Sequence, residues 1–504
     1  MFSNKIPHSA GFALLALATI AVQPVSADQR FDEARHYIEQ VVATQKAGTV
    51  SLSIAVAKDG EILWEEGFGW ADVENRTRAT EHTTYSLASI SKPITATALM
   101  TLVEAGKIDL DRPANDYLGT GKLTGRRGDA DAATVCRLAN HTSGLPTHVN
   151  FYYADEPMVL PTVNESIGRY GKLVGVPGEA YVYSNLGFGI LGYIGSRVSG
   201  TRYEDFMREA VFGPLGMSHS GVGVPPGLEP YAAVRYDKYG KVLPHYDFDH
   251  PGASAIYSSA HDLVRFGMMH IGSPVPGGKA VLSNATIEQM RHPACSRGGH
   301  EGYGLGWRVD QESGYEIVSH GGSMPGVKTI LAMIPEENLV VVVLTNRIDD
   351  RSPTKGVPLR WQVANRAIKS LVSDWPLQFG KSTPAEQTPL ALPDSMHGEW
   401  RGTVSTYESD IPLRLTIANN TIEARLGDQA ATVVEDVSFK DGWLRGNWDG
   451  ELDTDELNDR RPYGLRLNLH LDDARNLVGG VNAVSSGTKR YHYYVPHWTE
   501  LKKR

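Results

Sequence analysis

The order of strand-like and helix-like segments is the feature that most constrains the fold of this chain. Two alternating segments, 51–57 and 62–69, flank a Lys-Asp-Gly-Glu turn and predict a β-hairpin. Helical and loop patterns then dominate residues 85–290. Strand patterns return in three segments, 303–309, 329–334 and 339–345. Strands therefore open and close one domain, which predicts an antiparallel sheet with adjacent first and last strands, packed by a helical region.

A polar, Pro-containing stretch separates this domain from a second one. Its composition over 381–393 is typical of a linker. Beyond the linker, several short segments alternate apolar and polar residues, as in Leu413-Arg414-Leu415-Thr416-Ile417. We therefore expect one domain over 28–380 and a small all-β domain, barrel-like or sandwich-like, over 394–504.

The first 27 residues predict a cleaved secretory signal peptide. Lys5 supplies a positive start, residues 10–22 are apolar, and Val25-Ser26-Ala27 has the small side chains that a signal peptidase needs. The apolar stretch is shorter than the roughly 20 residues of a membrane span. We expect export to the periplasm or the medium after cleavage near Ala27, with no stable membrane anchor.

The net charge argues against one class of partner, and the two cysteines raise the question of a disulfide. A formal net charge of −9, without any long basic run, argues against nucleic acid as a partner. Cys136 and Cys295 could pair in an oxidising compartment. The half-buried helical pattern around Cys136 favours two buried thiols instead, and that is the expectation.

Ser89 and Lys92 place a hydroxyl and an amine three residues apart. On a helix, such side chains share one face with Cβ atoms roughly 5–6 Å apart. A lysine there can take the proton of the serine and make it a nucleophile. Pro93 is compatible with a helix that starts near Ser89, because a missing N–H costs little in the first turn. A bare Ser-x-x-Lys run is a weak signal, since such a serine can also be a surface cap.

Two later motifs supply further polar groups. In Tyr183-Ser184-Asn185, a phenol near a lysine could relay a proton, and the amide could orient the lysine or bind a substrate carbonyl. In His320-Gly321-Gly322-Ser323, glycine permits close approach of a substrate backbone, and a strand edge offers an N–H for an oxyanion hole. Read alone, the first motif is a core tyrosine in a turn and the second a common loop.

The order of these motifs resembles the class C β-lactamase family of serine hydrolases, which also contains DD-peptidases, D-aminopeptidases and esterases. The resemblance runs from about residue 51 to residue 345. It includes His141-Thr142-Ser143-Gly144-Leu145-Pro146, Pro214-Leu215-Gly216-Met217 and Tyr303-Gly304-Leu305-Gly306-Trp307. It implies an α+β fold, an antiparallel sheet flanked by helices with a mostly helical subdomain. The C-terminal β domain resembles barrel-like domains of some D-aminopeptidases, where it can narrow or cover the cleft.

The resemblance also implies roles for individual residues. Ser89 would be the nucleophile of an acyl-enzyme, and Lys92 with Tyr183 would form the base system and later activate water. Asn185 would contact the substrate and the lysine. The mechanism implied in this way needs no cofactor and no metal, and its substrate would be a small peptide or ester.

His320 is the position at which this chain departs from many members that open β-lactams, which have lysine there. Gly322 and Ser323 follow it, and the backbone N–H groups of Ser89 and Ser323 would form the oxyanion hole. A histidine with an ordinary pKa of about 6.5 is mostly neutral at pH 7 and attracts a carboxylate less than lysine does. The histidine thus argues against a specialised β-lactamase, and the resemblance, together with the expected export, implies a peptidase acting on peptides that contain D-amino acids. The alternatives are a carboxylesterase and a slowly turning-over penicillin-binding or sensor protein.

Two other clusters carry weaker signals. The segment 245–250 (His-Tyr-Asp-Phe-Asp-His) has metal-ligand residue types, but its spacing matches no zinc pattern, and we expect a loop flanking the cleft. The acidic segment 447–456 lacks the full pattern of a calcium loop, and we expect a solvated loop. Acyl specificity and oligomeric state stay open at this stage.

Overall fold

The computed structural model describes residues 28–44, 51–296, 302–347, 356–381, 390, 392–473, 475–485 and 493–504. The predicted signal peptide, 1–27, and most of the predicted linker lie outside the described residues. No helix in the described part of the chain combines the length and apolar character that crossing a membrane requires.

Twelve α-helices occur in the described residues. They are α1 (Asp32–Thr44), α2 (Ser91–Glu104), α3 (Val135–Ala139), α4 (Val163–Tyr170), α5 (Asn185–Ser199), α6 (Tyr203–Met207), α7 (Gly213–Leu215), α8 (Pro251–Ser254), α9 (Ala260–His270), α10 (Asn284–Arg291), α11 (Leu359–Lys369) and α12 (Asp455–Asn458). Most of them fall between the first and last strands of the first domain, as the sequence pattern predicts.

The described residues also form twenty-three strands, many of them short. They are β1 (Ser51–Lys58), β2 (Glu61–Asp72), β3 (Thr77–Arg78), β4 (Tyr85–Ser86), β5 (Thr124–Gly125), β6 (Val149–Tyr153), β7 (Lys172–Leu173), β8 (Gly221–Val222), β9 (Tyr246–Phe248), β10 (Ile256–Ser258), β11 (Arg308–Glu312), β12 (Tyr315–Met324), β13 (Val327–Ile334), β14 (Leu339–Thr345), β15 (Gly398–Ser405), β16 (Asp410–Ala418), β17 (Thr421–Leu426), β18 (Thr432–Val433), β19 (Glu435–Lys440), β20 (Trp443–Asp449), β21 (Tyr463–Asp473), β22 (Asn476–Ser485) and β23 (Tyr493–Lys503).

The main sheet of the first domain has the order β11-β12-β13-β14-β1-β2-β3. Strand β1 pairs antiparallel with β14, so that Leu52 lies opposite Thr345. The predicted adjacency of the first and last strands is therefore confirmed. Asp59 and Gly60 join β1 to β2 with φ values of 52° and 86°. Two successive left-handed residues match the twist of a tight hairpin, which explains the Asp-Gly pair.

Helices cover both faces of this sheet. Helices α1 and α11 pack with one face, where Ile54 and Val343 belong to an apolar cluster. Helix α9 packs on the other face, where Ala55 and Val342 join the larger core. Because both faces of these strands are buried, β14 is a nearly continuous apolar run, and in β1 even Ser51 and Ser53 of the alternating pattern are buried.

Cys136 and Cys295 form a disulfide, which corrects the expectation of two buried thiols. Their Cα atoms lie 6.3 Å apart although 159 residues separate them in the chain. Cys136 belongs to α3 and is buried, and Cys295 follows α10. The sequence around Cys136 describes its burial correctly, but burial does not exclude a partner that arrives from a distant segment.

The C-terminal domain is a nearly closed antiparallel barrel, which confirms the all-β prediction. Its strands follow the order β18-β17-β16-β15-β23-β22-β21-β20-β19. In β16 the apolar residues Leu413, Leu415 and Ile417 point inward and are buried. Asn419 and Asn420, with φ values of 50° and 60°, turn the chain into β17 as the alternating pattern predicts.

Strand β23 also reaches out of the barrel and pairs with β6 of the first domain. Beside this pairing, Arg460 donates hydrogen bonds to Asn150 Oδ1 at 2.6 Å and to the Phe151 carbonyl at 2.8 Å. Glu456 accepts hydrogen bonds from Asn150 Nδ2 and from the Tyr170 hydroxyl, both at 2.5 Å. The barrel is thus fixed to the first domain by a buried, hydrogen-bonded ionic cluster.

This cluster corrects part of the expectation for the acidic segment 447–456. Residues 447–449 end strand β20, and Glu456 lies in α12 with only 5% of its surface exposed. A carboxylate is buried only where donors compensate its lost hydration. Those donors come from the first domain, which explains why the local sequence indicates a solvated loop.

Candidate functional site

Ser89 lies in a single helical turn, Ala88–Ile90, directly before α2. Ala88 has φ 51°, a left-handed conformation that is unfavourable for a residue with a Cβ atom. Lys92 is the second residue of α2, and its Nζ atom lies 3.2 Å from Ser89 Oγ. The predicted contact between hydroxyl and amine, and the predicted helix start near Ser89, are both present.

Lys92 is fully buried, and its hydrogen bonds define which way its amine faces. Nζ donates to Asn185 Oδ1 at 2.7 Å and to the Ala253 carbonyl at 3.2 Å. Burial holds the pKa of Lys92 well below its ordinary value. In its uncharged form the amine has two N–H bonds, which these two oxygens can accept, and the lone pair is then left for Ser89 Oγ. The geometry suits removal of the serine proton.

The Tyr183 side chain interacts with Ser89, and both residues line the same cavity. Lys92 Nζ is 4.6 Å from the centre of its ring. Burial raises the pKa of Tyr183 above its ordinary value, so the phenol keeps its proton at neutral pH. The arrangement favours proton relay by a neutral phenol over a resting phenolate.

Asn185 begins α5, and Ser184 caps that helix by accepting from the Gly187 N–H. The amide oxygen of Asn185 accepts from Lys92, and its Nδ2 donates to the His148 carbonyl at 2.7 Å. Both ends of the amide are therefore engaged within the protein. The structure places Asn185 where it orients the lysine.

The His-Gly-Gly-Ser run lies within strand β12, not in a loop. At Gly322, an added Cβ would lie 2.2 Å from the Leu87 carbonyl oxygen and 2.1 Å from Thr329 Oγ1. Thr329 also donates to the Leu87 carbonyl at 3.0 Å. Glycine is thus required for β12 to approach the turn that carries Ser89, and Ser323 lines the same cavity as Ser89.

His320 is buried, and both of its ring nitrogens have partners. Nδ1 lies 2.9 Å from the Gly321 carbonyl, which only accepts, so Nδ1 carries a proton. Nε2 then accepts from the Tyr303 hydroxyl at 2.9 Å. Burial lowers the pKa of His320 to about 3. The ring is neutral at pH 7, as the sequence argument requires.

A cavity of ≈710 Å³ opens in front of these side chains. It is lined by Ser89, Tyr181, Tyr183, Gly302, Tyr303, Arg308, Asp310, His320, Gly321 and Ser323. Sequence reasoning assigns no role to Tyr181, Tyr303 or Arg308. Tyr303 belongs to the Tyr-Gly-Leu-Gly-Trp run noted above, whereas no local signal marks the other two.

His141 packs against the segment that carries Tyr183. Its ring centre lies 4.3 Å from that of Tyr183, and its Nδ1 accepts from the Ser184 N–H at 3.1 Å. Gly144, with φ 79°, lets the turn after His141 approach the Gly175 carbonyl, which would lie 2.2 Å from an added Cβ. The His141–Pro146 run therefore packs against Tyr183 and holds the turn that carries it.

The segment 245–250 leads from an exposed start into a buried end beside the site. Asp249 accepts from His148 Nε2 at 2.9 Å, from His250 Nδ1 at 2.5 Å and from Ser166 Oγ at 3.2 Å. Although burial opposes it, the two histidines hold the pKa of Asp249 below its ordinary value. These three groups lie close enough to hold a metal ion, but hydrogen bonds already account for their approach. Helix α8, which follows, supplies the Ala253 carbonyl to Lys92.

Comparison with known proteins adds the family context. The family model described as Beta-lactamase matches residues 34–365. Penicillin-binding protein 4* of Bacillus subtilis is 28% identical over 332 residues, which are 59% of this chain and 68% of that protein. The matched region contains every predicted site residue.

Solved structures with the same fold cover either one or both domains. A class C beta-lactamase has a TM-score of 0.55 at 22% identity, covering 69% of this chain and 98% of that one. The crystal structure of SurE with D-Leu has a TM-score of 0.57 at 18% identity, covering 94% and 99%. The second comparison shows that the barrel and the sheet domain also occur together in another protein.

Proposed function

The chain belongs to the beta-lactamase family and is a serine hydrolase, and we propose that it cleaves an amide or ester bond through an acyl-enzyme on Ser89. The observation that carries the proposal is the amine of Lys92, buried and 3.2 Å from Ser89 Oγ. Two oxygens accept its N–H bonds, so the lone pair is left for the serine proton.

In the proposed acylation step, Lys92 takes the proton of Ser89 while Oγ attacks the substrate carbonyl carbon. The carbonyl oxygen becomes an anion between the N–H groups of Ser89 and Ser323. Tyr183, which keeps its own proton at rest, relays a proton from Lys92 to the leaving amine or alcohol as the carbonyl–heteroatom bond breaks. Water then attacks the acyl-enzyme with the same groups acting in reverse, and Ser89 regains its proton.

We propose peptides that contain D-amino acids as the substrates. The neutral ring of His320 supports a peptidase over a specialised β-lactamase, because it offers no permanent positive charge for the carboxylate that a lysine would attract. The similarity to a structure determined with D-Leu supports it as well. A carboxylesterase is the alternative within the same chemistry.

We further propose that the protein is exported after cleavage near Ala27. The signal-like first 27 residues support this, and so does the disulfide between Cys136 and Cys295, because disulfides persist in oxidising compartments. Comparison of the mass of the protein in the periplasm or medium with that of the full chain tests the proposal. Uncleaved protein confined to the cytosol would contradict it.

A second candidate function is slow, persistent acylation by penicillins. The similarity to a protein named penicillin-binding protein 4* favours it. Labelling of Ser89 with a fluorescent penicillin, followed over time, separates the two. Rapid loss of label indicates turnover, whereas label that persists after free penicillin is removed indicates a binding or sensor role.

The decisive experiment measures hydrolysis of p-nitrophenyl esters and of D-alanyl and L-alanyl p-nitroanilides. We expect the D-anilide to be preferred and Ser89→Ala to abolish all hydrolysis. Ser373→Ala, at an exposed serine that does not line the cavity, is the matched control. Hydrolysis by Ser89→Ala at the wild-type rate would refute the mechanism, and preference for esters alone would favour the esterase.

A further inference from the structure

Strands β20 and β21 carry two arginine–asparagine pairs on one face of the barrel. Arg445 lies opposite Asn468, and Arg466 lies opposite Asn447, two residues further along. Arg445 Nε donates to Asn468 Oδ1 at 3.2 Å, and Arg466 Nε donates to Asn447 Oδ1 at 2.8 Å. Each asparagine therefore holds its guanidinium by Nε and leaves the two terminal nitrogens pointing away from the pair.

No acidic side chain in the described residues neutralises either guanidinium. Among the other exposed arginines of the barrel, Arg401 pairs with Glu399 and Arg461 with Glu451, whereas Arg425 has no such partner among the described residues. Arg445 and Arg466 are exposed and lie within ion-pair distance of none of the described carboxylates.

The two arginines line a cavity of ≈370 Å³ between the barrel and the first domain. This cavity is lined by Thr147, Ala180, Tyr181, Val182, Tyr183, Trp443, Arg445, Arg466, Leu467, Asn468 and Tyr494. Tyr181 and Tyr183 also line the cavity that contains Ser89. The two cavities therefore border each other at these tyrosines, so the second is an adjacent extension of the space around Ser89, and no residue that lines it is acidic.

We propose that this extension is a subsite for a carboxylate at the end of the substrate remote from the scissile bond. Arg445 and Arg466 bind that carboxylate through their terminal nitrogens, and Trp443 with Tyr181 packs against the chain that leads to it. A guanidinium fork matches a carboxylate in geometry, and such charge-assisted hydrogen bonds are the strong ones. This inference rests on the proposed function of Ser89 and names the substrate class: peptides or acyl groups with an anionic distal end.

The alternative is that both arginines are solvated surface residues with no role in binding. Their shared cavity, their fixed orientation and the missing acidic partners favour the subsite. A solvated pair would leave the enzyme indifferent to charge at the distal end of the substrate. The two hypotheses therefore predict different ratios of kcat/KM for substrates with a charged and with a neutral distal end.

The test uses the full chain and two series of esters. In the first, p-nitrophenyl esters of acyl chains of increasing length end either in a carboxylate or in a primary amide. In the second, the charge lies on the leaving group, with esters of 4-hydroxybenzoate compared with esters of 4-hydroxybenzamide. We expect kcat/KM to favour the carboxylate by about tenfold in one series, and the preference to fall as salt screens it.

Variants assign that preference to the arginines. Arg445→Gln with Arg466→Gln should bring the carboxylate-to-amide ratio close to the intrinsic ratio, and Arg445→Glu with Arg466→Glu should invert it. Arg425→Gln, at an exposed arginine of β17 outside both cavities, is the matched control and should keep the wild-type ratio. Comparing ratios between variants cancels the intrinsic reactivity of each ester.

The outcomes separate this proposal from the one on which it rests. If Ser89→Ala hydrolyses all these esters as fast as wild type, the proposed function fails. If Ser89 is required but neither series shows a carboxylate preference, or the preference survives in the glutamine and glutamate variants, the subsite alone is overturned. An unchanged melting temperature of the variants excludes a folding defect as the cause of a lost preference.

Discussion

A buried nitrogen base lies at each of two walls of the cavity that contains Ser89, Lys92 behind the helical wall and His320 in the strand wall, yet the two bases are placed for different tasks. On the helical wall, Lys92 donates to Asn185 and to the Ala253 carbonyl and still has a lone pair towards Ser89. On the strand wall, His320 uses one ring nitrogen for the Gly321 carbonyl and the other for Tyr303. Burial lowers the pKa of both groups.

The difference teaches that burial alone does not make a base catalytic. Burial sets the charge state of both groups, but the number of hydrogen bonds already made decides which nitrogen can accept another proton. Lys92 still has a lone pair that can accept a proton from Ser89, whereas both ring nitrogens of His320 already take part in hydrogen bonds. We therefore expect Lys92 to take part in proton transfer and His320 to shape the cavity.

The largest expected effect comes from removing the base of the helical wall. Lys92→Met keeps the length of the side chain but leaves no acceptor for the Ser89 proton, so kcat/KM for p-nitrophenyl esters should fall by about 10³-fold or more. Lys107→Met, at an exposed lysine of the first domain, is the control. A loss of less than about tenfold in kcat/KM for Lys92→Met would contradict the removal of the Ser89 proton by Lys92.

A change in the partner of the lysine should have the next largest effect. In Asn185→Asp, a carboxylate beside Nζ stabilises the ammonium and raises the pKa of Lys92. The acidic limb of the profile of kcat/KM against pH should then move to higher pH, with a loss of about 10 to 100-fold at neutral pH. A profile with an unmoved acidic limb would show that another group controls the reaction.

The strand wall should tolerate the corresponding change. Tyr303→Phe removes the donor to His320 Nε2, and the net value of such a hydrogen bond, about 1 kcal/mol, limits the change in kcat/KM to about fivefold. The shape of the pH profile should stay the same. A loss as large as that of Lys92→Met would erase the contrast between the walls and assign proton transfer to the tyrosine–histidine pair.

The smallest effect at neutral pH is expected from three buried histidines, which make the stability of the fold depend on pH. The pKa values of His270, His320 and His497 are lowered to about 3 by burial, whereas an unfolded chain protonates histidine near 6.5. The unfolded state binds more protons between these values, so stability is full above pH 6.5 and falls as pH drops towards 3.

Urea unfolding measured across that pH range tests this expectation. Each of the three histidines should contribute a slope of up to about 1.4 kcal/mol per pH unit. His497→Phe, in the barrel, should reduce the slope by about one proton, and His36→Gln, at an exposed position, should leave it unchanged. A stability that is constant from pH 6.5 to 4 would contradict the neutral, buried state of these rings.

The local parts of this architecture are visible in the sequence. The spacing of Ser89 and Lys92 on one helix turn is a property of the backbone, so their contact could be predicted without any tertiary information. The same holds for the β1–β2 hairpin, with its Asp-Gly turn, and for the alternating strands of the barrel. The order of strands and helices was sufficient to predict that β1 and β14 are neighbours.

What the sequence did not indicate depends on partners that arrive from a distance. The disulfide needs Cys295 to be brought beside α3 from 159 residues away. Glu456 is buried because Asn150 and Tyr170 of the other domain donate to it. His320 makes one hydrogen bond to the carbonyl of the adjacent Gly321, but the one that occupies its second nitrogen comes from Tyr303 in a separate segment.

The central position of β14 has a consequence for how the molecule assembles. Residues 339–344, Leu-Val-Val-Val-Val-Leu, carry no charge, have high β-propensity and are completely buried between β13 and β1. Such a segment is prone to intermolecular pairing whenever its edge is open. Its partner β1 lies almost 300 residues earlier in the chain. During folding, the edge of β14 is therefore open until the intervening segments bring the two strands together. This buried central strand is therefore an aggregation hazard during folding, and refolding yield should depend on protein concentration far more than native stability does.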